Sequence, residues 1–114
     1  MLDMIRRFLS AKLRDVKITG AFVDYEGSIT LDEEYLEQTG ILPFEEVHVL
    51  NVESGTRFIT YAIKGKRGSG AVELNGPAAH LGTIGDRIMV LTYAYLSKEE
   101  ISSHQPRVVS IGIK

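Results

Sequence analysis

The dipeptide Gly27-Ser28 is the first place in this sequence where residue types could do chemistry. A serine hydroxyl can attack the preceding carbonyl carbon, which moves the acyl group from nitrogen to oxygen and leaves an ester. Elimination would then cut the chain and leave dehydroalanine at position 28, which hydrolyses to a ketone with loss of ammonia. Glycine at 27 favours this attack because it lacks a Cβ and tolerates unusual backbone angles. Alone, however, Gly-Ser is ordinary turn material, and Gly68-Ser69 repeats it in the same chain.

The amino-acid composition limits which nucleophiles, partners and metal ligands the chain can offer. The chain has no cysteine, which excludes disulfides, thiolate nucleophiles and thiolate metal ligands, so any nucleophile must be oxygen or nitrogen. Thirteen Lys and Arg against 15 Asp and Glu give a net charge of −2, which disfavours nucleic acid as a partner. Three scattered histidines give little support to a metal site, so none is predicted.

The length and apolar content predict one compact, soluble domain. The 114 residues are 44% hydrophobic and 25% charged, which is an ordinary globular mixture. The longest apolar runs, such as Ile88–Leu91, are far shorter than the roughly 20 residues that span a bilayer. The first residues lack the long apolar core of a secretory signal, so we expect a cytoplasmic protein without membrane contact.

Short apolar stretches between glycine and proline turn signals predict a β-rich barrel or sandwich with few helices. The strand candidates, several of them alternating apolar with polar residues, are Val16–Val23, Val47–Val52, Arg57–Ile63, Ala71–Leu74, Arg87–Leu96 and Arg107–Ile111. Three short helical connectors are also predicted. One begins in the capping box Thr30–Glu33 and ends before Gly40, one begins at Ser97–Glu100 and is terminated by Pro106, and one begins at Pro77.

The segment Lys64–Gly70 is rich in glycine and basic residues. Such loops can bind phosphate when they open a helix, but this one lacks the spacing of a P-loop or a dinucleotide fingerprint. A plain connection between two strands is therefore the preferred interpretation.

Segments along nearly the whole chain resemble the pyruvoyl-dependent aspartate 1-decarboxylase family in both order and spacing. The matching segments are Lys12-Leu13, Tyr25-Glu26-Gly27-Ser28, Gly40-Ile41-Leu42, Arg57–Ile63, Asn75–His80 and Gly85-Asp86. Together they are far more specific than any one of them.

The resemblance implies a mainly β fold, a double-psi β-barrel with a few short connecting helices, as one domain over residues 1–114. The family forms homotetramers with active sites between neighbouring subunits and converts L-aspartate to β-alanine and CO2 for pantothenate synthesis. Self-cleavage between Gly27 and Ser28 would give a β fragment of residues 1–27 and an α fragment of residues 28–114. The α fragment would begin with a covalent pyruvoyl group derived from Ser28, which forms a Schiff base with the substrate and replaces an external electron-sink cofactor. Some family members need a maturation factor, and the sequence leaves open whether this chain does.

The resemblance also implies roles for particular residues. Ser28 and Tyr61 would be catalytic, Ser28 as the source of the pyruvoyl group and Tyr61 as the proton donor to the carbanion. Maturation would use Gly27, Ser28 and Thr60, whose hydroxyl would stabilise the oxyanion. The substrate-binding candidates are Lys12, Tyr25, Arg57, Asn75, Gly76, Pro77 and Ala78.

Each role has a structural alternative. Lys12 and Arg57 could be solvated charges, Tyr61 a core aromatic residue, Thr60 a β-branched strand residue, and Asn75-Gly76 a turn. Strict alternation would put Arg57 and Tyr61 on one strand face, about 13 Å apart, and Thr60 on the other. A bulge, a twist or a subunit contact would have to bring these residues together.

The chain departs from the family at four points. Arg14 stands where many members have histidine, Leu50 where some have tryptophan, and Pro77 where alanine is usual. The segment after Val108 is shorter than in many members. Two other functions stay open: a non-catalytic double-psi barrel that binds a partner or regulates, and a pyruvoyl decarboxylase of another small amino acid.

Overall fold

The computed structural model describes residues 4–112. Alternating apolar side chains and turn glycines divide this chain into eight strands and three short helices. The strands are β1 (Ile5–Lys17), β2 (Gly20–Phe22), β3 (Ser28–Asp32), β4 (Glu46–Asn51), β5 (Arg57–Gly65), β6 (Val72–Asn75), β7 (Arg87–Ser97) and β8 (Arg107–Ser110). The helices are α1 (Glu33–Thr39), a 3₁₀ helix (Gly76–Leu81) and α2 (Lys98–Ile101). No helix within residues 4–112 combines the length and the apolar content needed to cross a membrane.

The strands form one sheet in the order β2-β6-β3-β5-β4-β7-β1-β8. The pairs β2/β6, β3/β5 and β1/β8 are parallel, and the other neighbours are antiparallel. Beyond β1, the Thr19 amide donates to the Val72 carbonyl at 2.8 Å, and the Val72 amide donates to Thr19 Oγ1 at 2.9 Å. These bonds extend the β2/β6 pairing by one residue, and the short connection from β1 to β2 thereby links the two ends of the sheet and closes it into a barrel.

The barrel interior is filled by aliphatic side chains from alternate strand positions. In β4, Val47 and Val49 are fully buried, while His48 and Leu50 lie on the outer face of the sheet. The prediction of a mainly β barrel with a few short connecting helices is confirmed.

The predicted strands that begin at residues 47, 57, 71, 87 and 107 are observed with ends shifted by up to two residues. The prediction of one strand over Val16–Val23 is wrong, because the chain bends after Lys17 to cross from β1 to β2. The 13 residues of β1 were also largely missed. Charges in Arg6-Arg7 and Arg14-Asp15 interrupt any simple apolar alternation there.

The first helix begins later than predicted. Residues Ser28–Asp32 form β3, so Thr30 lies in a strand, and Asp32 rather than Thr30 caps α1 by accepting a 2.8 Å hydrogen bond from the Glu34 amide. Gly40 ends the helix at a φ of 78°, as predicted, and its amide donates to the Leu36 carbonyl. Asp32 occupies the N-cap position because its carboxylate is a stronger N-cap than the threonine hydroxyl. In addition, Leu31 is fully buried in the core as part of β3.

The second helix is shorter than predicted. The Ser97 amide donates to Glu100 Oε1 at 2.8 Å, which confirms this half of the predicted capping box. However, α2 ends at Ile101, well before Pro106. The third connector is the 3₁₀ helix, in which Pro77 is the second residue rather than the first.

The glycine-rich segment joins β5 to β6, as preferred from the sequence. The amides of Gly68 and Gly70 donate to the Asp32 carboxylate at 3.1 and 2.7 Å. The donors that could have bound phosphate are therefore used to anchor the loop to the cap of α1.

Candidate active site

Ser28 is the first residue of β3, and its side chain is buried, with 3% of the residue exposed. Its φ is 156°, an angle that residues with a Cβ rarely adopt. Backbone strain of this kind costs on the order of 1–3 kcal/mol and is typically found at functional sites. The peptide bond between Gly27 and Ser28 therefore lies where the backbone is strained and the hydroxyl is sheltered.

Asn75 holds the Ser28 hydroxyl. The two residues are direct partners in the antiparallel pairing of β3 with β6. Asn75 Nδ2 donates to Ser28 Oγ and to Thr30 Oγ1, each at 2.9 Å. Thr30 was missed as a site residue because its segment was interpreted as the start of a helix. Its spacing of two from Ser28, which puts both side chains on one strand face, was the available signal.

Gly76 is the glycine that this site requires. Its φ is 68°, and a Cβ there would lie 2.6 Å from the Tyr25 carbonyl oxygen and 2.8 Å from the Gly27 nitrogen. A Cβ on Gly27 would meet no atom within 4 Å, and the φ of Gly27 is not in the left-handed region. Ser28 therefore has the unusual backbone angle, and Gly76 is the position where the absence of a Cβ lets the chain at residues 25–27 come close.

Ser28 opens onto a pocket of about 780 Å³ on the outer face of the sheet. Tyr61 lines it and stacks on Phe44, with ring centroids 6.3 Å apart. Tyr25 covers one side and packs edge-on against Phe22. The lining residues are Phe22, Asp24, Tyr25, Glu26, Gly27, Ser28, Thr30, Phe44, Tyr61, Ile63, Lys64, Glu73 and Asn75.

The charged residues of this pocket are mostly acidic. Asp24, Glu26 and Glu73 contribute three carboxylates, while Lys64 is the one cation of the lining and lies 3.6 Å from Glu33 outside it. Such a pocket, taken from one chain, does not favour a substrate with two carboxylates.

Thr60 lines a second cavity of about 420 Å³ together with Tyr61, Ile59 and Phe44, although strict alternation predicts that Thr60 and Tyr61 face opposite sides of β5. It pairs with the fully buried Val47 and does not line the Ser28 pocket. The register of β3 with β5 pairs Ile29 with Ala62, so its continuation by two residues runs from Thr60 toward Gly27.

The predicted cationic residues lie elsewhere on the outer face, away from the Ser28 pocket. Lys12 and Arg14 line a separate cavity of about 270 Å³ together with Arg87. Arg57, at the start of β5, donates from Nη2 to the Tyr93 hydroxyl at 2.8 Å and to His48 Nδ1 at 3.3 Å. Within one chain, the structure therefore does not bring Lys12 or Arg57 to Ser28.

The remaining predicted residues flank these two regions. Pro77 is exposed, Ala78 is buried in the core, and neither lines the Ser28 pocket. Leu50 pairs with Arg57 and with Met89, so this departure from the family pattern lies beside Arg57. Arg14 contacts Asp15 at 3.3 Å.

Residues 4–112 contain no group of three or more His, Asp or Glu side chains placed to hold a metal ion.

Comparison with known proteins gives consistent matches over nearly the whole chain. The model of the family described as aspartate decarboxylase matches residues 4–114. The aspartate 1-decarboxylase of Desulfotalea psychrophila is 47% identical over 109 residues, which cover 96% of this chain and 92% of the relative. That of Trichormus variabilis is 48% identical and covers 97% and 87%. Aspartate 1-decarboxylase 1 of Gloeobacter violaceus is 50% identical and covers 95% and 92%.

Among solved structures, the rationally designed mkDPBB_sym_86 protein is similar at 19% identity, with a TM-score of 0.47. The match covers 73% of this chain and 91% of that one.

Proposed function

The chain belongs to the aspartate decarboxylase family, and on that premise we propose that it is a self-processing precursor that decarboxylates L-aspartate to β-alanine and CO2. The active form would carry a pyruvoyl group derived from Ser28. The observation that carries the proposal is the Ser28 geometry: a strained φ of 156°, a buried hydroxyl held by Asn75, and an open pocket beside it. We further propose that the product serves pantothenate synthesis in the cytoplasm.

Maturation begins with attack of Ser28 Oγ on the carbonyl carbon of Gly27. A C–O bond forms as the C–N bond between residues 27 and 28 breaks, which leaves an ester and a free amine. Loss of the Cα proton of residue 28 then expels the Gly27 carboxylate and gives dehydroalanine. Water replaces the nitrogen, ammonia leaves, and a ketone is left at the start of residues 28–114. The strained backbone at Ser28 supports this route because cleavage relieves the strain.

The residues around position 28 suit this chemistry. Asn75 Nδ2 orients Ser28 Oγ without taking its proton, because an amide nitrogen is a donor only. Thr60 remains the candidate donor to the oxyanion that forms on the Gly27 carbonyl. A positioned donor of this kind is worth about 3 kcal/mol. Its place on β5, in line with Gly27, supports this role.

The pyruvoyl carbonyl supplies an electron sink for the bond that breaks when CO2 leaves. Tyr61 lies on the wall of the same pocket, and its ring is fixed by stacking on Phe44. A phenol can donate a proton without an ionised neighbour, so Tyr61 is the proposed proton donor to the product carbon. Tyr25, Asn75 and Gly76 shape the pocket around the substrate.

Charge supports a site shared between subunits. The Ser28 pocket has three carboxylates and one lysine, whereas L-aspartate carries two carboxylates that need cations. Lys12 and Arg57 are such cations, but they lie on another part of the outer face. We propose a homotetramer in which one subunit gives the Ser28 pocket and its neighbour gives Lys12 and Arg57. Exposed apolar side chains at Phe44 and Ile59 support a contact there.

The test is turnover by the purified, matured protein, with L-aspartate, L-glutamate and cysteine sulfinate compared side by side. Release of β-alanine and CO2 from L-aspartate, with much slower reaction of the other two, is expected. The variant Ser28→Ala should stay uncut and inactive, whereas Ser69→Ala, which alters the second Gly-Ser dipeptide, should behave as wild type. A matured protein that ignores L-aspartate would overturn the proposed substrate. A maturation factor is needed if cleavage occurs only with cell extract.

A further inference from the structure

A group of three polar side chains from three different strands lies on the outer face of the sheet. The Arg57 side chain extends from β5 across β4 to reach β7, where Nη2 donates to the Tyr93 hydroxyl at 2.8 Å. The same Nη2 lies 3.3 Å from His48 Nδ1. The rings of His48 and Tyr93 meet edge-on with centroids 4.9 Å apart, and the guanidinium of Arg7 lies over the Tyr93 ring at 5.0 Å.

His48 is the acceptor in its contact with Arg57. Arginine has donors only, so Nδ1 of His48 accepts from Arg57 Nη2. His48 is buried, with 6% of the residue exposed. Its Nε2 lies 3.4 Å from Glu46 Oε2 but makes no hydrogen bond among the described residues, because the two groups are not aligned. Among residues 4–112, Arg57 is therefore the one partner that holds the His48 ring through a hydrogen bond.

The two acceptors use both protons of Nη2. Arginine has five N–H donors, so Nε and Nη1 keep three of them for another ligand. An exposed arginine would otherwise sample many rotamers. Restricting it to one rotamer when a ligand binds would cost conformational entropy. Here Tyr93 and His48 select one rotamer before any ligand arrives, and Arg7 holds the Tyr93 ring from its other side.

We propose that Tyr93 and His48 are positioning residues that hold Arg57 ready for a substrate carboxylate. This inference rests on the proposed function, in which Arg57 binds L-aspartate. Neither residue touches the substrate in this scheme, so both act on substrate affinity and leave the bond-breaking step at position 28 unchanged. Self-cleavage also stays unchanged, since neither residue lines the Ser28 pocket.

The test is steady-state kinetics of matured Tyr93→Phe, with Tyr95→Phe as the matched control. Both variants remove one phenol from β7, two residues apart on the same face, but only Tyr93 contacts Arg57. We expect KM for L-aspartate to rise on the order of tenfold in Tyr93→Phe, with kcat within twofold of wild type, because a hydrogen bond to a charged group is lost. Tyr95→Phe should keep the wild-type KM.

His48 supplies a second, independent comparison. His48→Asn keeps an acceptor near the place of Nδ1, and His48→Leu removes it, so KM should rise clearly more in the leucine variant. Equal KM values for wild type and Tyr93→Phe, or a fall in kcat at constant KM, would overturn the inference. Failure of the wild-type protein to cleave or to use L-aspartate would instead overturn the proposed function. The two failures are therefore distinguishable.

Discussion

At the scale of single residues, the site depends on where the backbone is strained and where it is crowded. The sequence drew attention to Gly27, yet the strain lies at Ser28 and the crowding at Gly76. Both follow from the pairing of β3 with β6, which puts Ser28 opposite Asn75 and leaves the next residue pressed against the chain at 25–27. A local pattern cannot reveal such a contact, because the two segments are far apart in sequence.

Gly76→Ala tests this reading. The new methyl group would lie within 3 Å of the Tyr25 carbonyl oxygen and the Gly27 nitrogen, and it would also bear the left-handed cost of about 1–2 kcal/mol. We expect the chain at 25–27 to be displaced and self-cleavage to be slowed at least tenfold, as measured by the uncut fraction over time. The control is Gly55→Ala, where φ is 75° and a Cβ meets no atom within 4 Å. Equal cleavage rates in the two variants would contradict the assigned role of Gly76.

At the scale of elements, Asp32 ties three segments together. It ends β3, caps α1 through the Glu34 amide, and anchors the glycine-rich loop through the amides of Gly68 and Gly70. Burial raises the pKa of Asp32, but these three hydrogen bonds lower it by more, so its pKa lies below the ordinary value of 3.8. A lowered folded pKa stabilises the protein above the unfolded value, and this stabilisation is lost as the pH falls through the folded value.

Asp32→Asn should therefore destabilise the protein by about 2 kcal/mol at pH 7, where hydrogen bonds to a charge are lost. The difference from wild type should narrow at pH 3, because below the unfolded pKa of about 3.9 the unfolded wild-type chain takes up a proton at Asp32 that the folded carboxylate resists. Urea unfolding at both pH values, in the uncut Ser28→Ala background and at equal protein concentration, measures this. The control Asp24→Asn alters an exposed acid with no hydrogen bond among the described residues. A difference from wild type that does not change with pH would contradict the role of Asp32.

Some strands and site residues could be predicted from the sequence, and others could not. Strands β4 and β7 were predictable because apolar residues recur at every second position, as Val47 and Val49 do in β4 and Ile88 and Val90 do in β7. Thr30 was missed because a threonine three residues before a glutamate resembles a capping box, whereas the competing Asp32 made the real cap. Ser28, Tyr61 and Asn75 were found through family resemblance and meet in one pocket.

Contacts between distant strands were beyond sequence reasoning. The Arg57 contacts with His48 and Tyr93 join three strands whose neighbour order is set by the whole sheet. No spacing within one segment encodes that order, because it depends on register across β5, β4 and β7.

At the scale of the whole molecule, the barrel measures 48 × 26 × 25 Å. The Ser28 pocket and the cations Lys12 and Arg57 lie on different parts of its outer face. The proposed tetramer would join them across a subunit contact. It would also cover apolar side chains such as Phe44, of which 77% is exposed, and so contribute hydrophobic stabilisation.

Ile59→Asp tests the proposed contact between subunits. Ile59 is 61% exposed and lies on β5 between Arg57 and Tyr61, so a buried charge there would oppose a subunit contact. We expect a smaller species in sedimentation velocity and a loss of L-aspartate turnover of at least tenfold. The control Ile84→Asp changes the same residue type at 64% exposure in the loop before β7. A fully assembled and active Ile59→Asp protein would contradict the proposed interface.

The proposed self-cleavage at Ser28 can be measured by intact mass spectrometry of the denatured protein after prolonged warm incubation. We expect two fragments, residues 1–27 and 28–114, the larger with a ketone-reactive N-terminus. Ser69→Ala should give the same two fragments, and Ser28→Ala should give none. A wild-type chain that stays intact, even after incubation with cell extract, would rule out self-cleavage and make Ser28 an ordinary buried strand serine.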